Sequence, residues 1–246
     1  MAGNIRHNSG EVIGKALAGC GVDELSQLAS ELGEGHGDAI ISQLRNRRKP
    51  RMFVISGPSG VGKDSIIKIL REIFPDVHVA VTATTRERRP GEAHGVDYFF
   101  YDPAYFEELR SAGEFLESAE VYGKWYGVPK HSVRHAVERG QDVFVKVDVQ
   151  GAATIRQQVP DAVFIFVSPS SSTELLERLR TRKTDDPEIL IRRVRAAEQE
   201  LARADEFDYV VFNGQNEHGV PEQSVSEITS IIEAERHRIH QPTIDL

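Results

Sequence analysis

Several features that mark other protein classes are missing from this 246-residue chain. It has one cysteine, Cys20, which excludes an intramolecular disulfide framework and is typical of a reducing cytoplasm. No apolar run approaches the roughly twenty residues that span a bilayer, and the first residues lack the apolar core of a secretion signal. Basic residues are not in excess: the net charge is −8, which argues against a general nucleic-acid binder. We therefore expect a cytoplasmic protein whose partners are neither nucleic acid nor membrane.

What the chain does contain, from Arg51 onward, is an alternation of strand-like and helix-like segments. Short apolar runs predict strands at 52–56, 77–81, 143–149, 162–168 and 208–212. Helical spacing of apolar residues predicts helices at 64–73, 103–111, 131–139, 172–182, 187–203 and 224–239. Such alternation indicates an α/β fold with a parallel sheet covered by helices.

Residues 1–50 form a region of different composition, rich in glycine, alanine and acidic residues. Apolar residues at helical spacing lie at 25–32 and at 40–44, and a basic run at 45–51 ends the region. We interpret it as a small helical extension joined through a solvated linker. A contact between the basic run and an anionic partner is the less favoured alternative, because the run is short and the protein is acidic.

The segment Ser56–Ser65 has the pattern of a phosphate-binding loop, Gly-x-x-x-x-Gly-Lys, between a predicted strand and a predicted helix. Glycine permits the positive φ angles that turn successive N–H groups toward phosphate oxygens, and the helix that follows presents its positive dipole end. Lys63 adds a full positive charge near the transferred phosphate. The loop predicts a nucleoside triphosphate with Mg²⁺ as its ligand, although Asp64 stands where a metal-binding serine or threonine is usual.

Three further groups of charged residues are candidates for phosphate chemistry. Three arginines lie within residues 86–89, and guanidinium groups bind phosphate through paired hydrogen bonds. Asp148 follows a buried strand, where it could orient Mg²⁺, its water shell or a substrate. The arginines at 178–193 flank an Asp-Asp-Pro break and could fold over a nucleotide as a lid.

In their order along the chain, these motifs resemble those of guanylate kinases. The resemblance is carried by four blocks, at 56–63, 84–98, 148–152 and 196–201, together with the lid arginines. It covers about residues 51–240 and implies transfer of the γ-phosphoryl group of ATP to GMP or dGMP, which yields ADP and GDP or dGDP. Residues 1–50 and the tail 241–246 lie outside it.

The fold that the resemblance implies is the three-layer P-loop NTPase fold. Its parallel central sheet would carry a small mixed α/β lobe for GMP at about 82–130 and a helical lid at about 180–195. Within the lobe, a carboxylate would read guanine, since its two acceptor oxygens match two parallel donors that adenine lacks.

The resemblance also implies roles for individual residues. The GMP site would consist of Thr82, Arg86, Arg89, Tyr98, Glu117, Tyr126 and Asp148, with Glu117 on guanine. The ATP site would consist of Gly57, Pro58, Ser59, Gly60, Val61, Gly62, Lys63, Asp64, Ser65, Arg178 and Asn213. Phosphoryl transfer would depend on Lys63, Arg89, Arg182 and Arg193, and on Mg²⁺ held by Asp64 or Ser65.

Two positions depart from the usual guanylate kinase pattern. One is Asp64, and the other is Lys146, which lies where an acidic residue is common. Because both should lie near Mg²⁺ and the β-phosphate, we expect the two changes to be linked. Either Asp64 supplies a carboxylate to Mg²⁺ or its water shell, or it pairs with Lys146 and leaves Ser65 to substitute.

Two other functions are open to a chain with these motifs. A Gly-Lys-Asp-Ser loop also resembles ribose 1,5-bisphosphate kinases, but Glu117, Tyr98 and the complete arginine block favour a guanine nucleotide. A guanylate-kinase-like module that binds phosphopeptides without catalysis is the second alternative. Such modules typically lack the phosphate loop and the lid arginines, whereas Lys63, Arg182 and Arg193 are present here.

Overall fold

The computed structural model describes residues 36–45, 48–121, 123–180, 187–214, 221–239, 242–244 and 246. The chain divides into two compact units, residues 1–48 and 49–246. In the first unit, helix α1 (His36–Arg45) carries the apolar residues of the predicted patch at 40–44. The patch at 25–32 and Cys20 lie outside the described residues.

The second unit contains the alternating strands and helices that the sequence predicts. Its strands are β1 (Met52–Ser56), β2 (His78–Val79), β3 (Ala83–Thr84), β4 (Phe99–Phe100), β5 (Phe115–Val121), β6 (Lys124–Pro129), β7 (Val143–Lys146), β8 (Val163–Pro169) and β9 (Tyr209–Asn213). Its helices are α2 (Lys63–Ile73), α3 (Pro103–Ser111), α4 (Lys130–Glu138), α5 (Val149–Gln158), α6 (Ser172–Arg180), α7 (Pro187–Leu201) and α8 (Glu222–Arg236), with a 3-10 helix at Ala204–Glu206. Every element predicted from Arg51 onward has a counterpart, whereas β3 to β6, helix α5 and the 3-10 helix are additional.

The main sheet has the strand order β2-β7-β1-β8-β9, and all neighbouring strands are parallel. The central strands β1 and β8 are buried along their whole length, which explains their uninterrupted Val, Ile and Phe runs. Ile55 of β1 lies opposite Lys146 of β7 and Ile165 of β8. The carboxyl ends of these strands therefore meet at one edge, where ligands of such sheets bind.

Helices cover both faces of this sheet, and each face has its own cluster of buried apolar side chains. Helices α2 and α8 contribute Ile66, Leu70, Ile228 and Ile232 to one cluster, and α4 and α5 contribute Val133, Ala136, Ala152 and Ile155 to the other. The arrangement is the three-layer α/β fold that the resemblance implies. None of the described helices is both long and apolar enough to cross a bilayer.

The second sheet is small and mixed, with the order β4-β3-β6-β5. Strands β3 and β4 are parallel, whereas β6 is antiparallel to β3 and to β5. Helix α3 packs on it through Phe106, whose ring stacks on that of Phe115 at 4.4 Å between centroids. This sheet lies within the predicted GMP lobe at 82–130 and confirms its mixed character.

The predicted lid at about 180–195 begins at the end of α6 and includes the first part of α7. These two helices pack together through Leu175, Leu179 and Ala197. Residues 181–186 between them lie outside the described residues. Several predicted boundaries differ from the observed ones by one to three residues, and one of these differences affects the site: the strand expected at 143–149 ends at Lys146. It ends there because Asp148 caps α5, accepting a hydrogen bond from the Gly151 N–H at 2.7 Å.

Candidate active site

The phosphate loop leaves β1 at Ser56 and enters α2 at Lys63, as predicted. Gly57 has a φ of 138°, and a Cβ there would lie 2.1 Å from the Val167 carbonyl oxygen of the neighbouring strand. Gly62 precedes α2 with a φ of 100°. Only glycine combines these backbone angles with such close packing, so the loop geometry depends on both positions.

Lys63 is held inside the loop that it follows. Its Nζ donates hydrogen bonds to the carbonyl oxygens of Gly57 at 2.5 Å and Pro58 at 3.0 Å. Burial lowers the pKa of Lys63 to about 8, while the nearby carboxylates of Glu200, Asp148 and Asp64 act in the opposite direction. An anion bound in the loop would favour the charged ammonium group.

Arg178 and Asn213, both predicted to bind ATP, brace the loop from the side of the lid and β9. The Arg178 guanidinium and the Asn213 side-chain amide each donate to the Val61 carbonyl oxygen at 2.7 Å. Arg178 also donates to the Asn213 carbonyl oxygen at 3.0 Å and forms an ion pair with Glu174. The structure thus brings both residues to the phosphate loop.

Glu200, near the end of α7, is a residue that the sequence does not single out. Its carboxylate accepts a hydrogen bond from the Ser59 backbone N–H at 3.1 Å, so it takes up one of the loop donors. Burial raises the pKa of Glu200, and the Ser59 N–H opposes that shift. Glu200 lies within the 196–201 block, but no spacing rule connects it with a loop 141 residues earlier.

The predicted phosphate ligands of the small lobe lie around Arg86. Its guanidinium forms a paired hydrogen bond with the Glu92 carboxylate, at 2.7 and 3.1 Å, and its central carbon lies 5.4 Å from the Tyr98 ring centroid. Glu92 raises the pKa of Arg86, and it also accepts the Arg89 N–H at 2.7 Å. Tyr98 and Tyr126 pack edge to face, with centroids 6.2 Å apart. The Arg89 side chain is exposed at the rim of this group.

The predicted guanine-reading carboxylate, Glu117, lies on β5 beside Asp148. A Cβ at Gly151 would be 3.3 Å from both the Asp148 Oδ1 and the Glu117 Cγ. Because Gly151 has no side chain, the two acidic residues have room to lie side by side. Burial, and then the charge of Asp148, raises the pKa of Glu117 to about 8. Thr82 and Tyr98 line a cavity of about 560 Å³, whose lining does not include Glu117 or Asp148.

The two departures from the family pattern are in direct contact. The Lys146 ammonium group and the Asp64 carboxylate form an ion pair between the end of β7 and the start of α2. The link between the two positions that we expect from the sequence is therefore present.

Of the two lid arginines predicted to act in phosphoryl transfer, Arg193 is among the described residues. Arg193 donates to the Leu179 carbonyl oxygen at 2.7 Å and so ties α7 to α6 rather than reaching the phosphate loop. Arg182 lies outside the described residues, and its predicted role stays a prediction.

The oxygen donors next to Lys63 fit a magnesium ion that arrives with a nucleotide. Asp64 and Ser65 supply a carboxylate and a hydroxyl, and both side chains are exposed at the start of α2. Mg²⁺ is usually bound through one or two carboxylates plus substrate phosphates, not through a complete protein cage. Among the described residues there is no group of three or more His, Cys, Asp or Glu side chains that could form such a cage.

Comparison with known proteins links this arrangement to one family. The guanylate kinase family profile matches residues 49–235. The chain is 42% identical over 199 residues to guanylate kinase 2, chloroplastic/mitochondrial, of Oryza sativa subsp. japonica, covering 80% of this chain and 69% of that protein. It is 47% identical over 165 residues to guanylate kinase of Streptomyces kasugaensis, covering 67% of this chain and 80% of that protein.

A solved structure is also similar to this chain, and it too is a guanylate kinase. The crystal structure of guanylate kinase from Anaplasma phagocytophilum aligns with a TM-score of 0.61 and 31% identity, over 79% of this chain and 90% of that one. The residues that the family profile matches, 49–235, include the phosphate loop, the small lobe and the predicted lid.

Proposed function

Because the chain belongs to the guanylate kinase family, we propose that it transfers the γ-phosphoryl group of ATP to GMP or dGMP. The products would be ADP and GDP or dGDP. The phosphate loop around Lys63 would hold ATP, and the small lobe would hold the acceptor nucleotide. The activity belongs to purine nucleotide metabolism and the recycling of GMP.

The observation that carries the choice of acceptor is the position of Glu117 against Asp148. Guanine offers two parallel donors, its N1–H and its exocyclic amine, to a carboxylate with two acceptors. Adenine and the pyrimidines lack this pair, so they cannot give both oxygens of the ionised carboxylate a donor. Since the pKa of Glu117 is about 8 in the free protein, GMP binding at neutral pH would release a proton from Glu117.

The acceptor phosphate would bind at the cluster of Arg86, Tyr98 and Tyr126. Arg86 is held in place by Glu92 and remains charged at any physiological pH, so its guanidinium group is positioned before the ligand arrives. Arg89 at the rim would add a second cation. These groups would place the phosphate oxygen of GMP in line with the γ-phosphate of ATP.

On the donor side, the protein would work by position and charge rather than by covalent chemistry. Lys63 would hold the β- and γ-phosphates as negative charge spreads in the transition state. Mg²⁺, held through Asp64 or Ser65, would neutralise further phosphate charge. Arg182 and Arg193 would close with the lid, which excludes water so that ATP is not hydrolysed.

A coupled assay that offers GMP, dGMP, AMP, UMP and ribose 1,5-bisphosphate with Mg-ATP tests this function. We expect turnover with GMP and dGMP only. Turnover with the sugar phosphate alone would support the ribose 1,5-bisphosphate kinase alternative. No turnover, combined with tight binding of a phosphopeptide, would support the non-catalytic module.

We also propose that the enzyme acts in the cytoplasm, which its single cysteine supports. The rice relative is named chloroplastic/mitochondrial, so location differs within the family. Fractionation of the source cells with an antibody against the full chain would test the proposal.

A further inference from the structure

The ion pair between Lys146 and Asp64 joins the end of strand β7 to the start of helix α2, beside the phosphate loop. Lys146 ends β7, next to the strand that leads into the phosphate loop, and Asp64 lies in the first turn of α2. The two side chains are 38% and 75% exposed. Ion pairs as exposed as this one add little to stability, so a structural role does not account for the pair.

Lys146 lies between the donor and the acceptor regions. It lines the 560 Å³ cavity together with Thr82 and Tyr98, both predicted to contact GMP. It is also close enough to Lys63 that its charge helps to lower the pKa of that lysine. An acidic side chain at this position would repel phosphate groups on either side, whereas an ammonium group attracts them.

We propose that Lys146 binds the phosphate group of the acceptor nucleotide and that Asp64 holds the ammonium group in position before the nucleotide arrives. An ammonium group has three N–H donors, so it can keep Asp64 as a partner while it donates to phosphate. The inference rests on the proposed function and adds to it a phosphate ligand that the family resemblance does not assign. It also explains why both departures occur together in one chain.

A simpler role for Lys146 is to neutralise Asp64, so that the extra carboxylate does not repel the substrates. The two roles give different results when both charges are removed. If Lys146 only neutralises Asp64, the double variant regains normal binding. If Lys146 contacts phosphate, the double variant remains impaired.

The test is the affinity for GMP, measured by calorimetry in EDTA without ATP, so that neither turnover nor metal binding contributes. We expect Lys146→Met to weaken GMP binding about tenfold to a hundredfold, the range of one charged hydrogen bond. Asp64→Asn, which loses the positioning contact but keeps the ammonium group, should weaken GMP binding by about twofold to fivefold. The double variant should stay at least about tenfold weaker than the original chain. Lys146→Arg should recover most of the affinity.

Two controls isolate the phosphate contact. Lys68→Met, at an exposed position of α2, makes the same charge change and should keep GMP affinity within about twofold. Guanosine, which has no phosphate, should bind the Lys146→Met variant and the original chain equally. Thermal unfolding of each variant shows whether it is folded, and Lys146→Gln serves if the Met variant is not.

The proposal is wrong if Lys146→Met binds GMP like the Lys68→Met control, or if the double variant returns to the original affinity. It is also wrong if guanosine binding falls as much as GMP binding. Failure of the proposed function looks different, because the unmodified chain itself would then neither bind nor phosphorylate GMP.

Discussion

The phosphate loop and the small lobe both prepare for phosphate, but by different means. The loop is made of backbone: Gly57 and Gly62 take positive φ angles, and the loop is anchored between the buried strand β1 and helix α2. The small lobe is made of side chains: Arg86 is held by Glu92, and Glu117 faces Asp148. The lobe therefore offers more positions at which substitution changes the ligand without breaking the fold.

The two regions also differ in the sign of the buried ionisable group: Lys63 is a cation and Glu117 an anion when charged. Burial lowers the pKa of Lys63 to about 8 in the loop, and burial raises the pKa of Glu117 to about 8 in the lobe. In each case burial disfavours the charged form until a ligand supplies a partner for the charge, although Lys63, with a pKa of about 8, is still mostly charged at pH 7. Binding of the two substrates should move protons in opposite directions.

The largest effect should follow from Lys63→Met, which removes the cation of the loop and keeps most of its length. We expect kcat to fall about a hundredfold to a thousandfold, because a positioned charge on the transferred phosphoryl group is lost. Steady-state kinetics measure the loss, and the unfolding temperature should change by only a few degrees. Activity within tenfold of the original would contradict a role for Lys63 in transfer.

Next, Gly57→Ala should destabilise the fold by about 3 kcal/mol or more, since backbone strain and a contact at 2.1 Å with the Val167 carbonyl oxygen act together. Gly91→Ala in the small lobe is the matched control: its φ is 90°, but nothing lies within 4 Å of the added Cβ. We expect about 1 kcal/mol there. If the two variants lost the same free energy of unfolding in urea, the phosphate loop would not depend on its backbone geometry more than the small lobe does.

In the lobe, Glu117→Gln should lower kcat/KM for GMP about a hundredfold, because the amide presents a donor to one of the two guanine donors. Glu120→Gln, an exposed change on the same strand, should have little effect. Comparable losses from both variants would show that Glu117 is not the residue that reads guanine.

The raised pKa of Glu117 predicts how both the stability of the free protein and its affinity for GMP change with pH. The folded pKa of Glu117, about 8, lies above its ordinary value of 4.5. Between these values the folded state keeps a proton that the unfolded state has lost, so this group makes the free protein less stable as pH rises. GMP affinity should rise over pH 6 to 8 with release of up to one proton, seen by calorimetry in buffers of different ionisation enthalpy. ATP binding above pH 8 should instead take up a proton at Lys63.

The smallest effect should come from Glu200→Gln. The Glu200 carboxylate occupies the Ser59 N–H that would face a phosphate, so removing its charge should strengthen metal-free ATP binding about fivefold at pH 7. Glu198→Gln, exposed on the same helix, is the control. Weaker ATP binding in the Glu200 variant alone would mean that this carboxylate supports the nucleotide instead of competing with it.

Most of the main fold was open to sequence-based prediction, because its strands are buried on both faces and its helices have regular apolar spacing. The short strands of the small lobe were harder. β3 and β4 have two residues each, too few to show a period, and only the family resemblance indicated a mixed lobe. The early end of β7 was missed because a helix cap at Asp148 overrides the apolar run that continues to Val149.

By itself the sequence determined the phosphate loop, since the glycines, Lys63 and the flanking strand and helix are contiguous and their spacing follows from local backbone geometry. It also determined the likeness to one family. The tertiary structure decided which distant side chains meet: Lys146 with Asp64 across 82 residues, and Glu200 with Ser59 across 141. It also decided the charge state of Glu117 and Lys63, because burial depends on packing of the whole chain, and no local pattern records it.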